Sequence, residues 1–257
     1  MKPQNLTHIL IGIACFGLLP QIQAVSPTPD GCYPNFTTAE GCNALNLLTT
    51  GLGNTGLGWR ALFSAGAANF NTAVGVAALA LNTGNNNTAV GAAALLSNTT
   101  GIENSAVGTD ALVSNTIGMQ NTANGSIALQ HNTTGSENTA DGRAALSEND
   151  TGNGNTAIGF QALSSNSTGS DNIALGDGAG INLNMGSHNI YIGDFGVTTE
   201  SSTIRIGTSN VQDAAFIAGI SLTPVVGDAV VVDANGQRHG HVVSAVQKRY
   251  QAHGQSE

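Results

Sequence analysis

The element Asn-Thr-Ala-x-Gly returns along this chain at an almost constant interval, and that interval restricts the fold more than any other feature. Its first position falls at Asn54, Asn71, Asn87, Asn104, Asn121, Asn138, Asn155, Asn172, Asn189 and, in weaker form, Thr203. The spacings are 17, 16, then 17 six times, then 14. A fixed short period marks a repeat architecture, in which each unit buries its face only against its neighbours. Other columns keep step. A glycine precedes most of the asparagines by three residues, with Ala68 as the exception, and a second glycine closes each element, as at Gly75, Gly91 and Gly108. An Ala-Leu pair follows, giving Leu62, Leu79, Leu95, Leu112, Leu129, Leu146 and Leu163. A second asparagine column runs Asn82, Asn98, Asn115, Asn132, Asn149, Asn166 and Asn182.

Glycine and asparagine in every unit weaken a helix. Both tolerate positive φ and can turn a chain sharply. The period therefore predicts an all-β fold: a parallel β-roll, or solenoid, of about ten coils, each with two short strands and two turns. Stacked asparagines can hydrogen-bond along such a roll as a ladder. Coils at the inter-strand spacing of about 4.8 Å would make a rod of about 45–50 Å.

Strand alternation assigns faces. In Thr72-Ala73-Val74, Thr72 and Val74 share one side and Ala73 takes the other. The Val74 column is apolar in most units, which assigns it to the interior, where Asn124 and Asp141 would be costly interruptions. The opposite column, Ala73, Ala89, Ala106, Ala123, Ala140, Ala157 and Ala174, would then form a smooth outer face. Small residues allow close backbone approach, so this column is the expected oligomer interface. Thin coils support the same expectation. Ordering 17 residues costs roughly 17–34 kcal/mol of backbone entropy, whereas a buried leucine returns about 1.5–3 kcal/mol.

The ends differ from the repeats. Lys2, the apolar run Ile9 to Leu19, Pro20 and the small Ala24 read as a signal peptide over 1–24. Cys15 lies inside that run, but Gly12 stands where a lipoprotein site needs a larger aliphatic residue. Residues 25–50 read as an N-terminal cap, 51–207 as the repeat domain, and 208–257 as a C-terminal β segment and tail. Export favours a disulfide between Cys32 and Cys42, with two free thiols as the alternative. Without Lys2, six basic residues stand against 16 acidic ones, a net charge of −10. Between Leu62 and Ile204 the single basic residue is Arg143, so no basic stripe for nucleic acid exists there. The mature chain holds no apolar stretch long enough to span a membrane.

Units such as Asn71-Thr-Ala-Val-Gly75 and Asn155-Thr-Ala-Ile-Gly159 resemble the head repeats of YadA-type trimeric autotransporter adhesins, over roughly residues 51–207. The resemblance implies a left-handed parallel β-roll assembled as a parallel homotrimer, with the small-residue face towards the partners. Ile204-Arg-Ile-Gly207, Phe216-Ile-Ala-Gly-Ile220 and Val230-Val-Val-Asp-Ala-Asn-Gly236 resemble the segment that joins such repeats to an endosialidase-type intramolecular chaperone domain in tail-fibre-like proteins.

Chemistry-bearing patterns are sparse. His239-Gly-His241 supplies two imidazoles, short of a metal site. His131 and His188 fall in turns with no partner in register, no G-x-S-x-G elbow occurs, and Glu103, Glu137 and Asp141 lack a cleft. The expectation is a non-enzymatic, cofactor-free, exported surface or secreted protein that binds cells, matrix or glycans through its outer turns. A structural fibre or spacer is the alternative. A regular Thr column, Thr55, Thr72, Thr88, Ser105, Thr122, Thr139 and Thr156, would suit ice binding if it faced outward. The alternation above turns it inward.

Overall fold

In the computed structural model, residues 34–208 and 211–212 are described. The chain divides after Ile206, and the roll lies in the first unit. After a 3-10 turn at Pro34–Phe36, the elements are β1 (Thr38–Glu40), β2 (Thr55–Leu57), β3 (Thr72–Val74), β4 (Thr88–Val90), β5 (Ser105–Val107), β6 (Thr122–Asn124), β7 (Thr139–Asp141), β8 (Thr156–Ile158), β9 (Ile173–Leu175), β10 (Ile190–Ile192) and β11 (Ile204–Ile206). These strands form one 11-stranded sheet in chain order. Each pairs in parallel with the next and in register, Thr72 on Thr88 and Ala73 on Ala89, for example. The all-β parallel solenoid with a period near 17 residues is therefore observed. It begins one rung earlier than the repeat count suggests, because β1 lies inside the stretch assigned to an N-terminal cap.

Each coil carries one regular strand rather than two. The opposite side runs through leucines in the left-handed region, with φ of 50–52° at Leu62, Leu79, Leu95, Leu112, Leu129, Leu146 and Leu163. That conformation costs a non-glycine residue about 1–2 kcal/mol. It persists here because it points the leucine into the roll, where each of these side chains is 0 % exposed. Alternate amides still bridge rungs on this side. Leu112 N–H donates to Ala128 O at 3.0 Å, and Ser114 N–H to Gln130 O at 3.2 Å.

The strand faces are opposite to the alternation-based assignment. Ala73, Ala89, Ala106, Ala123, Ala140, Ala157 and Ala174 are 0–1 % exposed and line the interior of the chain's own roll, so they cannot be an oligomer interface. They pack in one core cluster with Leu79, Leu95, Leu112 and their equivalents, and with the Ala78, Ala94 and Ala111 column. The physical reason is width. The leucine already fills a thin coil from the far side, leaving the strand room for a methyl group alone. At Gly56, an added Cβ would lie 3.2 Å from both Leu45 Cγ and Ala61 O. Val74 and its equivalents are consequently pushed outside.

The other half of the interior is polar and, apart from Asn166 Oδ1, satisfied. The asparagine columns are buried from Asn54 to Asn189 and from Asn82 to Asn166. Asn121 Oδ1 accepts from the backbone N–H of Asn138 at 3.0 Å and from its Nδ2 at 3.1 Å, and this contact repeats from rung to rung. Asn132 Nδ2 likewise donates to Asn115 Oδ1 at 2.7 Å in the second ladder. Within a rung the two ladders meet on one carbonyl. Asn121 Nδ2 and Asn132 Nδ2 both donate to Gly135 O, at 2.8 and 2.9 Å. Gly135 must lack a Cβ because one would collide with Asn132 Oδ1 and with Gly152 O of the next rung. Gly108 is required for a second reason: its φ is 135°, and a Cβ would sit 2.6 Å from the Gly125 carbonyl. The asparagines therefore act as internal amide rungs rather than as corner residues with positive φ.

Both ladders have defined ends. Thr203 N–H closes the first by donating to Asn189 Oδ1 at 3.0 Å. The second stops at Asn166, whose Oδ1 has no donor, because buried Leu183 takes the next position. Asn182, assigned to this column from sequence, is exposed one residue away. The 16-residue coil at 71–86 loses its residue from a turn and leaves the ladder intact, with Asn87 N–H on Asn71 Oδ1 at 2.9 Å.

Candidate functional site

Alternation places what the interior cannot hold on the outer strand face. Two columns stand there, two residues apart along each strand. One is hydroxyl-bearing, Thr55, Thr72, Thr88, Ser105, Thr122, Thr139 and Thr156, continuing as Ile173, Ile190 and Ile204. The other is Leu57, Val74, Val90, Val107, Asn124, Asp141, Ile158, Leu175, Ile192 and Ile206. Val90, Val107, Ile158, Leu175 and Ile192 are 38–47 % exposed, although each has an apolar neighbour on at least one adjacent rung. The Thr column thus faces outward, contrary to the inward assignment.

Asn124 and Asp141 are exposed on this face rather than buried. They occupy consecutive rungs, and Asn124 Nδ2 donates to Asp141 Oδ1 at 3.0 Å. On the outward strand positions, the ionisable side chains are Glu40 and Asp141. The face is therefore a nearly uncharged strip, broken in its middle by one polar pair.

The turns form a second surface. Glu103, Gln120, Glu137, Gly154, Asp171 and His188 follow one another in a left-handed turn position. Gln120 Nε2 donates to Glu103 Oε2 at 3.0 Å. His188 Nε2 lies 3.5 Å from Asp171 Oδ2, and in the opposite turn His131 Nδ1 lies 3.0 Å from Glu148 Oε2. Both histidines thus have acidic partners one rung away, against the sequence expectation of none. These pairs are exposed, so each contributes little to stability. On a neighbouring edge, the Arg60 guanidinium lies 4.3 Å from the Phe63 ring centre and Arg143 5.6 Å from that of Phe160.

The last rungs change character. Tyr191 replaces the inward alanine and is fully buried. Gly180 and Gly196 make room for it, since a Cβ on either would lie 2.8 Å from the ring. Burial, then the neighbouring Glu200 carboxylate, push the phenol well above its usual range. Its hydroxyl feels that charge without making a well-aligned hydrogen bond. Glu200 is bound by Arg205, Nε at 2.9 Å and Nη2 at 2.7 Å. Burial, the largest single influence, would raise the Glu200 carboxyl, but the Arg205 bonds, the neighbouring Tyr191 hydroxyl, the Val197 N–H and the Arg205 charge together outweigh it and hold the group below its ordinary value. The Glu200 bonds in turn raise Arg205. This ion pair over a buried ring closes the apolar half of the roll.

Cys42 is exposed on the first coil. Cys32, and with it the proposed disulfide, lies outside the described residues, as do the signal segment, His239 and His241. Among the described residues no group of three or more His, Cys, Asp or Glu could hold a metal, and no helix is long and apolar enough to cross a membrane. No protein-family model and no curated protein matches the chain.

Proposed function

We propose that this chain is an exported, non-catalytic, adhesin-head-like repeat protein whose rolls associate side by side, three copies in parallel. The association uses the Thr–Val face rather than the alanine column. The turn columns then remain free to bind other cells, matrix or glycans, on the principle that loops on a rigid scaffold carry recognition. The observation supporting this is the exposure of Val90, Val107, Ile158, Leu175 and Ile192 in one column, broken only by the Asn124–Asp141 pair. The outer face of an isolated soluble sheet is normally polar, and a contiguous apolar strip marks an interaction surface. The resemblance of the repeats to trimeric adhesin heads supplies the parallel trimer.

Sedimentation equilibrium of the chain tests the assembly. A mass of three copies that persists at micromolar concentration supports it, and a monomer overturns it. Binding to immobilised matrix proteins or glycans then separates an adhesin head from a fibre or spacer. The outward Thr55, Thr72, Thr88 and Ser105 column favours a second reading, ice binding, if the face is free. Thermal hysteresis of a monomeric preparation would establish that reading.

A further inference from the structure

The face just described has a weakness that follows from its regularity. Successive rungs present the same residues at the same spacing, Val74, Val90 and Val107 beside Thr72, Thr88 and Ser105. A second copy could therefore slide by one rung and lose little contact. A staggered copy also leaves uncovered apolar rungs at both ends, and these recruit further copies. Closed oligomers would then give way to open-ended growth. A repetitive sheet face needs something irregular to define its register.

Among the described residues, the apolar column has one polar interruption between β2 and β11. Asn124 and Asp141 interrupt the apolar column in two consecutive rungs near the middle of the strip, with Val107 before them and Ile158 after. We infer that this pair is the register pin of the assembly: it aligns identical chains in parallel with no stagger. The inference rests on the Thr–Val face being the association surface. In register, the three pairs share one polar layer, where the Asn124 amides can donate to carboxylates of their own and neighbouring copies. One rung out of register, Asp141 of one copy lies level with Ile158 of the next, and Asn124 of that next copy lies level with Val107 of the first, so only one Asn124–Asp141 pairing spans the seam and two polar side chains are set against apolar ones. Crowding three Asp141 carboxylates also weakens the assembly. A single polar layer in an otherwise apolar coiled-coil seam has the same signature, lower stability in return for one register and one oligomer size.

The occupant of the face is therefore a further copy of this chain. A partner of other chemistry would have to match a polar pair of this size at this height, whereas an in-register copy does so by symmetry.

Two variants of the full chain test the idea. Asn124→Val with Asp141→Val restores the apolar column. It should retain the wild-type circular dichroism and, in sedimentation velocity, replace one sharp species with a broad, concentration-dependent series of larger ones. The second variant moves the pair three rungs along the roll: Val74→Asn, Val90→Asp, Asn124→Val, Asp141→Val. It should assemble with itself. When it is co-expressed with differently tagged wild type, native mass spectrometry should show mixed oligomers at least about tenfold below their statistical share, a preference of about 1.4 kcal/mol. Free mixing, or an unchanged sharp species for the first variant, overturns the register pin and leaves the association intact. A monomeric wild type overturns both. A two-copy mass overturns them in favour of an antiparallel pair, in which Asn124 of one copy meets Asp141 of the other.

Discussion

Replacing Asn121 by alanine should unfold the middle of the roll, and the cost can be counted bond by bond. The side chain makes four hydrogen bonds: Nδ2 to Asn104 Oδ1 and to Gly135 O, and Oδ1 from Asn138 N–H and from Asn138 Nδ2. Three partners keep another bond after the change. Asn104 Oδ1 retains the Asn121 backbone N–H, Gly135 O retains Asn132 Nδ2, and Asn138 Nδ2 retains Gly152 O. The Asn138 N–H keeps none and stays buried. Three lost bonds at about 0.5–1.5 kcal/mol each, plus about 1–3 kcal/mol for the orphaned amide, give about 2.5–7.5 kcal/mol. Asn121→Asp should not rescue the loss, because it removes the donor and sets a carboxylate against the Gly135 carbonyl. Asn153→Ala is the control. Its Oδ1 accepts Ser136 N–H at 2.8 Å in an exposed turn, where water can substitute. Urea titration followed by circular dichroism measures the total. Hydrogen exchange at the Asn138 amide locates it, since rungs of a solenoid can open separately. An Asn121→Ala chain whose stability stays within about 1 kcal/mol of wild type, with the Asn138 amide still protected, would refute the ladder as a source of stability.

Three further outcomes follow from the same geometry. Ala106→Arg should unfold the roll, because the position is fully buried, whereas Val107→Arg should preserve circular dichroism and reduce the sedimented mass to that of a single chain. Leu129→Ala should cost about 2–5 kcal/mol by urea titration, since the leucine is fully buried and the surrounding coil cannot collapse. The C-terminal rungs should loosen at both pH extremes, measured by hydrogen exchange at Ile192 and Ile206. Glu200 is held below its ordinary 4.5, so its contribution is present above that pH and fades as pH falls through the lower folded value. Tyr191 is held above its ordinary 10.0, so its contribution is complete below that pH and fades in stronger alkali.

The periodic Asn-Thr-Ala-x-Gly element was enough to predict rungs, parallel pairing and amide ladders, because each follows from spacing and side-chain chemistry alone. One rung escaped notice. Thr37-Thr-Ala-Glu-Gly41 precedes Asn54 by 17 residues, but Thr replaces the asparagine and Glu the apolar residue. The end of the second ladder was misplaced for a similar reason. Leu183 fills the position and the nearby Asn182 does not, a shift that residue type alone conceals.

Which side of the strand faces inward was not legible, and the candidate surface depended on it. Alternation separates Ala73 from Thr72 and Val74, yet both sides carry apolar residues, so polarity cannot choose between them. Choosing the larger residue for the interior assumes a roomy core. The sequence alone determined the period, the parallel stacking and the residues that share a column. Only the tertiary structure decided that Leu112 enters the coil in a left-handed conformation and leaves space for Ala106 but not for Val107. The reason is that periodicity records which residues are equivalent, whereas the direction a strand faces depends on the volume left by the opposite side of the coil.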